Sequence, residues 1–393
     1  MTPGALSRHL FAHYENSRVD HLTPRSCIHA ELMPVLDGLV QASAGVLSMT
    51  EAGRSAEGRP IMLLSFGRGE KRVLLWSQMH GDEPTATLAL ADMLTYLVHH
   101  GARERWVREL LHDVTVFIVP MLNPDGAERV QRRTASGIDM NRDARALVTP
   151  EGALLRSLQR RLKPRFGFNL HDQELSSVGQ TTNVSAIALL APALDARRSM
   201  PMSRLRAVRV AALIARSLGQ FADGHLSRYR DDFEPRAFGD SMQAWGTSTV
   251  LIESGHWPGD RTKTFIRKLN VVALLTALRS IGDGSYQDVD LDHYGDLPEN
   301  GKQMYDIVIR DATLRHPGGE RFRADIGLLI ENAHNRHAAR PVVTIKDLGD
   351  LSTFGALETI DGRRRAVPAS SVTIDRVVPL HRLMDELELY YPA

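Results

Sequence analysis

The chain has a single cysteine, Cys27, among its 393 residues. One thiol cannot form an internal disulfide, and it cannot supply the several thiolates of a cysteine-based zinc cage. Any zinc bound by this chain must therefore use histidine and carboxylate ligands. The 16 histidines and 47 acidic residues provide many candidate ligands, so the ligands must be identified by their positions relative to the predicted strands and helices.

Long apolar runs and excess charge are also missing. The sequence has no run of about 18 uncharged apolar residues, and the segment from Met1 to His21 lacks the apolar core of a signal peptide. We therefore expect a cytoplasmic protein without a membrane span. The 48 basic and 47 acidic residues leave a net charge of +1, which argues against nucleic acid or an anionic membrane as the partner. A small or neutral partner is expected.

Hydrophobic periodicity divides the chain into three predicted units. Residues 1–53 predict a helical lead-in, in which apolar side chains recur at helical spacing from Ile28 to Leu39. Residues 54–285 alternate short apolar runs with long helical segments, which is typical of an α/β domain. Residues 282–301 are rich in Gly, Asp and Pro and indicate a linker. Residues 301–393 show mostly two-residue periodicity, which predicts strands at 305–310, 324–330, 342–345 and 372–378 and a small β-rich C-terminal domain.

Within the α/β unit the sequence predicts strands at 61–66, 72–77, 114–119, 166–170, 185–190 and 248–252. It predicts helices at 83–99, 150–162, 203–218 and 262–281. Polar residues follow several of these strands directly, at the carboxyl ends where open α/β sheets bind ligands.

The first polar cluster is His80-Gly81-Asp82-Glu83, between a predicted strand and a predicted helix. A catalytic zinc needs three nitrogen or oxygen ligands and one open position. A His and a Glu three residues apart at a strand-to-helix turn can direct two donors to one ion. The pair alone is weak evidence for a zinc site, because such spacing is frequent and a Glu in a first helical turn also interacts favourably with the helix dipole.

Two further strand ends complete the set. His171 begins a polar His-Asp-Gln cluster after an apolar run, which indicates a third ligand, although a solvated turn is the simpler alternative. Glu253 ends a β-branched apolar strand, where burial would raise its pKa towards the range that a general base needs. The sequence therefore predicts one Zn²⁺ per chain held by His80, Glu83 and His171, with Glu253 as the base.

A turn signal and a basic loop lie between these elements. Asn123-Pro124-Asp125-Gly126 is typical of a tight turn. The loop that follows, from Arg132 to Arg142, places arginines with Asp139 and Asn141. A guanidinium fork suits recognition of a carboxylate, and a plain basic loop is the alternative.

Taken in order, these motifs resemble the zinc carboxypeptidases of the carboxypeptidase A family, especially their bacterial members. The resemblance covers roughly residues 55–257. It implies a mixed, mostly parallel sheet flanked by helices. It also implies hydrolysis of the C-terminal peptide bond of a peptide or peptide-like substrate by a zinc-activated water, with the substrate presenting a free C-terminal carboxylate.

The resemblance also implies individual functions for site residues. Arg132 polarises the scissile carbonyl and stabilises the oxyanion. Asn141 and Arg142 bind the terminal carboxylate, and Asp139 orients a zinc-binding histidine. Tyr229 is a candidate for the tyrosine that closes over the substrate, although the segment from 230 to 246 departs from the family pattern. The C-terminal domain has no counterpart in the digestive members.

Two other functions fit the same residues. A deacylase of the aspartoacylase or succinylglutamate desuccinylase type resembles the same fold and shares the zinc set, and turnover of an N-acyl amino acid would reveal it. A non-catalytic binding protein on this scaffold would be revealed by the absence of metal. The Asn-Pro-Asp-Gly turn, the length of the chain and the complete ligand set favour the peptidase.

Overall fold

The computed structural model describes residues 1–23, 27–101, 103–331, 341–364 and 366–389. Its larger part is an α/β unit built on an eight-stranded sheet. The strands of this sheet are β1 (Leu47–Arg54), β2 (Pro60–Gly67), β3 (Lys71–Ser77), β4 (Val114–Val119), β5 (Phe166–Asp172), β7 (Ile187–Leu190), β8 (Leu226–Arg228) and β9 (Ser248–Ser254), and a separate short strand, β6 (Ser177–Val178), lies between β5 and β7 in the chain.

The strand order in the sheet is β1-β2-β4-β3-β5-β9-β7-β8. Strand β3 pairs in parallel with β4 and β5, β5 pairs in parallel with β9, and β7 pairs in parallel with β8. The pairs β1 with β2, β2 with β4, and β7 with β9 are antiparallel. The predicted mixed, mostly parallel sheet is confirmed.

Helices cover both faces of this sheet. They are α1 (Pro3–His13), α2 (His29–Ala42), α3 (Thr85–His100), α4 (Arg105–Asp113), α5 (Pro124–Glu128), α6 (Pro150–Leu162), α7 (Met202–Gly219), α8 (Phe238–Ala244), α9 (Thr264–Asp283) and α10 (Asp292–Gly295). Alternate side chains of one strand face opposite layers: Val73 and Leu75 of β3 join the core on the α3 and α9 side, whereas Leu74 and Trp76 join the core on the α6 and α8 side.

The elements predicted from periodicity agree with the structure apart from their ends. Helix α3 begins at Thr85, two residues after the predicted start, so Glu83 lies in the preceding turn. Strand β7 begins at Ile187 and is two residues shorter than predicted at its start. Both differences leave polar residues at strand and helix ends outside the regular elements.

The N-terminal segment contains a strand that the prediction of a helical lead-in missed. Helices α1 and α2 are present, but β1 follows them and forms the edge of the main sheet. Only Leu47 of this strand is buried, so the strand lacks a clear apolar alternation in the sequence. Leu6, Leu10 and Leu36 belong to the main core, and the segment therefore packs as part of the α/β unit.

The segment 282–301 was predicted to be a linker, and that prediction is wrong. Tyr286, Val289 and Tyr294 are buried in the main core. The Tyr286 ring packs edge-on against Phe166 with 5.4 Å between ring centroids. The glycines and aspartates of this segment form turns, while its three apolar side chains reach back to the sheet. The domain boundaries at 54–285 and 301–393 stay a prediction.

The C-terminal region forms its own sheet, as expected for a β-rich unit. Its strands are β11 (Met304–Arg315), β12 (Arg321–Ile330), β13 (Val342–Gly349), β14 (Gly355–Asp361), β15 (Val367–Pro368) and β16 (Val377–Pro379), and the short strand β10 (Asn300–Gly301) precedes them and pairs with β6. The order is β14-β11-β12-β13-β16, with β15 paired to β11. A separate core includes Ile309, Leu328 and Leu383, the last from a terminal helix, Leu380–Glu386.

One strand of this region was predicted too long. The sequence alternation suggested a strand at 372–378, but the regular strand begins only at Val377. Asp375 has a backbone φ of 62°, and Arg376 N–H bonds to the carbonyl of Thr373, so a turn interrupts the alternation.

Across the described ranges of the chain, the structure contains no helix long and apolar enough to cross a membrane.

A buried ion pair fastens the N-terminal segment to the helical layer. The Arg267 guanidinium of α9 donates to both carboxylate oxygens of Asp92 in α3, at 2.6 and 3.0 Å. Tyr14 and the Val19 N–H donate to the same carboxylate, at 2.7 and 2.8 Å, and Arg267 also donates to the Leu22 carbonyl at 2.9 Å. Every charge in this pair therefore has several partners, as buried charges require.

We expect Arg267→Ala to lower the free energy of unfolding by about 3–5 kcal/mol, because it leaves the Asp92 carboxylate buried and uncompensated. Equilibrium urea unfolding measures the loss. Arg54→Ala is a matched control that breaks an exposed pair with Glu51 and should cost less than about 1 kcal/mol. An Arg267 variant as stable as this control would contradict the importance given to the buried pair.

Candidate metal centre and active site

The turn after β3 carries His80 and Glu83. Strand β3 ends at Ser77 and α3 begins at Thr85, so both residues lie in the connection. The Glu83 N–H donates to the His80 carbonyl at 3.2 Å, which closes the turn. The two side chains meet, with the His80 Nδ1 atom 2.7 Å from Glu83 Oε1.

The Asn-Pro-Asp-Gly motif packs against this turn and hydrogen-bonds to its backbone. Asn123 caps α5 by accepting the Gly126 N–H at 2.9 Å, and its amide donates to the Met79 carbonyl at 3.2 Å. A Cβ atom on Gly81 would lie 2.0 Å from the carbonyl carbon of Gly126. Glycine at position 81 therefore allows the helix to press directly against the turn. The motif holds the ligand turn in place without entering the site.

The third predicted ligand and the predicted base lie on adjacent strands. His171 is at the end of β5 and Glu253 is near the end of β9, and the two residues are register partners in this parallel pair. Strand β5 also pairs with β3, which leads into the His80 turn. Because the carboxyl ends of these parallel strands share one edge, His80, Glu83, His171 and Glu253 come together.

The three predicted ligands form one compact donor set. His80 Nδ1 and His171 Nδ1 lie 2.7 Å from the two oxygens of the Glu83 carboxylate, one on each oxygen. All three side chains are buried, and their donor atoms lie within 4.8 Å of one another. Two imidazole nitrogens and one carboxylate are the ligand types of a catalytic zinc site. The residues present therefore fit a zinc ion.

Asp139 and Arg132 surround this set. His80 Nε2 lies 3.1 Å from Asp139 Oδ1, which also accepts the Asn141 N–H at 2.9 Å. A carboxylate on the second ring nitrogen fixes the orientation of the imidazole and frees Nδ1 for the site. The Arg132 guanidinium donates to Asp139 Oδ2 at 3.2 Å and to Glu83 Oε1 at 3.1 Å. The structure thus brings both residues into contact with the predicted ligands, and their functions stay predictions.

The charges of this cluster shift its pKa values in opposite directions. Burial lowers the pKa of His80, but the Glu83 carboxylate and the hydrogen bond with Asp139 outweigh it and raise the pKa to about 9. Burial keeps the pKa of His171 below its ordinary value. Burial raises the pKa of Glu83, but the two histidines lower it well below the usual range. His80 is therefore protonated at neutral pH, whereas His171 is neutral.

Glu253 has the environment expected of a proton acceptor in a closed site. The residue is only 7% exposed to solvent. Burial raises the pKa of Glu253 well above its ordinary value, and the Glu83 carboxylate raises it further, while His80 opposes the shift. A carboxyl group in this position exchanges a proton readily when the local charge changes.

Asn141 and Arg142 lie on the short helical turn that Asp139 caps. The Asn141 Oδ1 atom accepts the Phe238 N–H at 2.9 Å, which fixes the amide plane. Arg142 donates to the Asn141 carbonyl at 2.7 Å, and its Nε atom lies 3.7 Å from Glu234. The Arg142 side chain is 42% exposed, so a bound anion can reach it.

Tyr229 follows β8, and its backbone N–H bonds to the Leu189 carbonyl at 2.9 Å. Its side chain is within electrostatic reach of the site, because the Glu253 carboxylate, together with burial and Glu83, raises the pKa of Tyr229 to about 12. The hydroxyl is therefore protonated at neutral pH and can act as a hydrogen-bond donor.

Sequence reasoning missed one partly buried acid of the site. Asp172 follows His171 and accepts the Thr85 hydroxyl at 2.5 Å. Burial raises the pKa of Asp172 to about 7, although the Lys263 ammonium opposes the shift. Its N–H donates to Glu83 Oε2 at 3.2 Å. The polar His-Asp-Gln run was the available signal, but only the fold shows that Asp172 supports the ligand Glu83.

Residues 32–182 match the family described as zinc carboxypeptidase. This segment resembles a zinc carboxypeptidase domain. Among curated relatives, it is 32% identical over 129 residues to Carboxypeptidase 2 of Trichophyton tonsurans, an alignment that covers 30% of this chain and 23% of the relative. It is 24% identical over 142 residues to Carboxypeptidase SOL1 of Arabidopsis thaliana, which covers 35% of this chain and 29% of the relative.

Solved structures of similar fold extend the likeness beyond this segment. A metallo-carboxypeptidase from Burkholderia cenocepacia superposes with a TM-score of 0.53 at 21% identity, over 65% of this chain and 69% of that one. Carboxypeptidase A from Helicoverpa armigera gives a TM-score of 0.52 at 15% identity, over 72% of this chain and 80% of that one. At these identities the likeness shows the fold alone.

The family match and the site do not coincide completely. The segment 32–182 contains His80, Glu83, Arg132 and His171, but it ends before Tyr229 and Glu253. The position of the predicted base relative to the predicted ligands therefore rests on the pairing of β9 with β5. The chain spans about a quarter of the first curated relatives, with 23% of the Trichophyton tonsurans protein aligned.

We expect zinc binding to release protons at pH 7.5, because His80, with a pKa of about 9, must lose its proton to become a ligand. The apparent affinity should therefore rise as pH increases towards 9. Calorimetric titration with zinc in two buffers of different ionisation enthalpy measures the release, expected to be at least about one proton per ion.

Two variants separate the sources of these protons. Glu253→Gln should release fewer protons than the wild type if Glu253 ionises when zinc binds, whereas His171→Ala should lose measurable zinc binding. Binding by the wild type without proton release would contradict the assignment of His80 as a ligand.

Proposed function

We propose that this protein is a zinc metallocarboxypeptidase that hydrolyses the C-terminal peptide bond of a peptide or peptide-like substrate. The observation that carries the proposal is the meeting of the His80, Glu83 and His171 donor set with Glu253 on the neighbouring strand. The match of residues 32–182 to the zinc carboxypeptidase family supports the same chemistry. We also propose that residues 54–285 contain the catalytic machinery; the cytoplasmic location and the absence of a nucleic acid or membrane partner stay predictions.

His80, Glu83 and His171 would hold one zinc ion. A zinc ion bound there supplies Lewis-acid chemistry, which polarises a carbonyl group and lowers the pKa of water. Asp139 keeps the His80 ring oriented, and the Asp172 N–H fixes one oxygen of Glu83. These contacts limit the motion of the ligands, so that the donor set is organised before binding.

Glu253 acts as the general base in this proposal. Its carboxylate takes a proton from the attacking water and later returns it to the departing amine. The pKa of Glu253 starts well above the ordinary value because of burial and Glu83. With a cation held among the ligands, the pKa of Glu253 would fall towards the range in which the carboxylate accepts and donates protons near neutral pH.

Arg132 supplies positive charge next to the reacting carbonyl. Its guanidinium bonds to Glu83 and Asp139, and 44% of its side chain is exposed. We infer that it turns towards the substrate oxygen, where negative charge develops in the transition state. Asp139 remains close enough to hold the other edge of the guanidinium.

Arg142 and Asn141 would fix the end of the substrate. A guanidinium binds a carboxylate with two charge-assisted hydrogen bonds, and the amide group of Asn141 offers a further donor. With the terminal carboxylate fixed at these residues, the last peptide bond lies beside the donor set. We propose that Tyr229 closes the opposite side and donates from its neutral hydroxyl.

We expect Glu253→Gln to retain zinc and to lose at least about 100-fold in kcat, because the amide cannot accept the proton. Zinc content by elemental analysis and kcat on an N-blocked dipeptide give the two readouts. Glu174→Gln replaces an exposed acid two residues beyond Asp172 and should keep near-normal kcat. Retained turnover in the Glu253 variant would place the base elsewhere.

A second prediction uses two peptides that differ only in a C-terminal amide. We expect the wild type to cleave the free acid and to cleave the amide poorly. Arg142→Ala should lower kcat/KM for the acid by about 30-fold, the equivalent of about 2 kcal/mol for a partly exposed charged contact. Arg142→Lys keeps the charge without the fork and should recover only part of this loss.

The same assay tests the substrate class. Equal cleavage of the acid and the amide, or internal cuts in a long peptide, would contradict the exopeptidase function. Faster turnover of an N-acyl amino acid than of the dipeptide would favour the deacylase alternative.

A further inference from the structure

Four side chains next to the active site form a closed ring of hydrogen bonds. Gln173 Nε2 donates to Ser185 Oγ at 2.9 Å, and the Ser185 and Ser227 hydroxyls are 2.6 Å apart. Ser227 donates to Asn300 Oδ1, and Asn300 Nδ2 donates back to Gln173 Oε1 at 2.6 Å. Each member both donates and accepts, so the bonds run in one direction around the ring.

Three of the four ring members are buried. Ser185 and Ser227 are fully buried and Gln173 is 6% exposed, whereas Asn300 is partly exposed. Buried hydrogen bonds polarise one another, and the loss of one partner leaves a buried group of Gln173, Ser185 or Ser227 without its hydrogen bond. The ring should therefore behave as a unit, in which the removal of one member affects the positions of the others.

Each ring member belongs to a different segment of the chain. Gln173 follows His171 and Asp172 at the end of β5, and its N–H also bonds to the Ser254 carbonyl at 3.0 Å, one residue after Glu253. Ser227 lies in β8, two residues before Tyr229. Asn300 begins the short strand that leads into the C-terminal sheet.

Backbone contacts hold residues 298–301 against the same segments. The Arg228 N–H donates to the Pro298 carbonyl at 2.8 Å, and the Gly179 N–H donates to the Glu299 carbonyl at 2.9 Å. Strand β10 pairs with β6 through Gly301 and Ser177. A Cβ atom on Gly301 would lie 1.7 Å from the Gly179 carbonyl oxygen, so the two backbones are in direct contact.

We propose that Asn300 is a positioning residue, which joins the loop after His171 to the strand before Tyr229 and thereby sets the width of the substrate cleft. The proposal rests on the proposed function, since it assigns Tyr229 and Glu253 to the reaction. It also gives the chain leading to the C-terminal sheet a part in the active site. Asn300 itself belongs to neither the ligand set nor the substrate-binding residues, and it acts through Gln173 and Ser227.

The test compares zinc-loaded full-length variants. Asn300→Ala removes both ring contacts, and Asn300→Asp keeps the shape and the acceptor but loses the donor to Gln173. Glu358→Gln is the matched control: it weakens the paired contact from Arg261 to β14, at 2.9 Å on each oxygen, which also joins the C-terminal sheet to the α/β unit but lies outside the ring.

Amide hydrogen exchange measured by mass spectrometry shows, without any substrate, how firmly the two cleft segments are held. We expect residues 173–185 and 226–231 to exchange faster in both Asn300 variants than in the wild type and the Glu358 control. Unchanged exchange in these two segments would overturn the proposal, whereas faster exchange confined to the C-terminal sheet would show that Asn300 stabilises that sheet alone and would overturn it equally.

Activity per bound zinc gives the second readout. We expect kcat/KM on the blocked dipeptide to fall about 10- to 100-fold in Asn300→Ala. Losses of this size are typical of residues that orient active-site groups through hydrogen bonds without contacting the substrate. The Asn300→Ala, Ser227→Ala double variant should lose little more than either single variant, because either change opens the ring. Full kcat/KM in the folded, zinc-loaded Asn300 variants would contradict the proposal.

The two readouts also separate this proposal from the proposed function. If the wild type fails to cleave the peptide, the carboxypeptidase assignment is wrong, and the exchange result still decides whether Asn300 holds the two segments. If the wild type is active and the variants show neither faster exchange nor lower kcat/KM, the assignment stands and the ring is not a positioning device.

Discussion

The site depends on one carboxylate that is buried between two imidazoles. Glu83 has almost no access to water, and its charge is compensated by His80 and Arg132, while His171 Nδ1 lies within hydrogen-bonding distance of its second oxygen. A carboxylate in this setting is stable only while its partners are held within hydrogen-bonding distance. The partners come from three distant parts of the chain. The parallel arrangement of β3, β5 and β9 is the constraint that brings His80, His171 and Glu253 to one edge.

Supporting contacts extend outward from this carboxylate in layers. Asp139 fixes one histidine, Asp172 fixes one oxygen of Glu83, and the Asn123 turn holds the backbone between β3 and α3. Further out, the hydrogen-bond ring ties the edges of the cleft to the beginning of the C-terminal region. The α/β unit and the chain that follows it are therefore joined at the place where the substrate is expected to bind.

Much of this arrangement could be predicted from the sequence, because it follows local patterns. Apolar runs with polar ends located β3, β5 and β9, and with them His80, His171 and Glu253. What could not be predicted depends on contacts between distant residues. Strand β1 has one buried side chain and no apolar alternation, and Tyr286 and Tyr294 are separated by turn-forming residues although both reach the core. Asn300 carries no local signal, since its function comes only from its partners.

The Arg267 and Asp92 pair has a consequence for the order in which the chain can fold. The segment around Tyr14, Val19 and Leu22 is synthesised before its partners. It bonds to Asp92 of α3 and to Arg267, and Arg267 lies 245 residues after Leu22. Contacts of such sequence separation require a long loop to close before they contribute stability, and they slow folding. On the ribosome, the N-terminal segment must wait until α9 has emerged, and Asp92 must remain accessible to water until its arginine arrives.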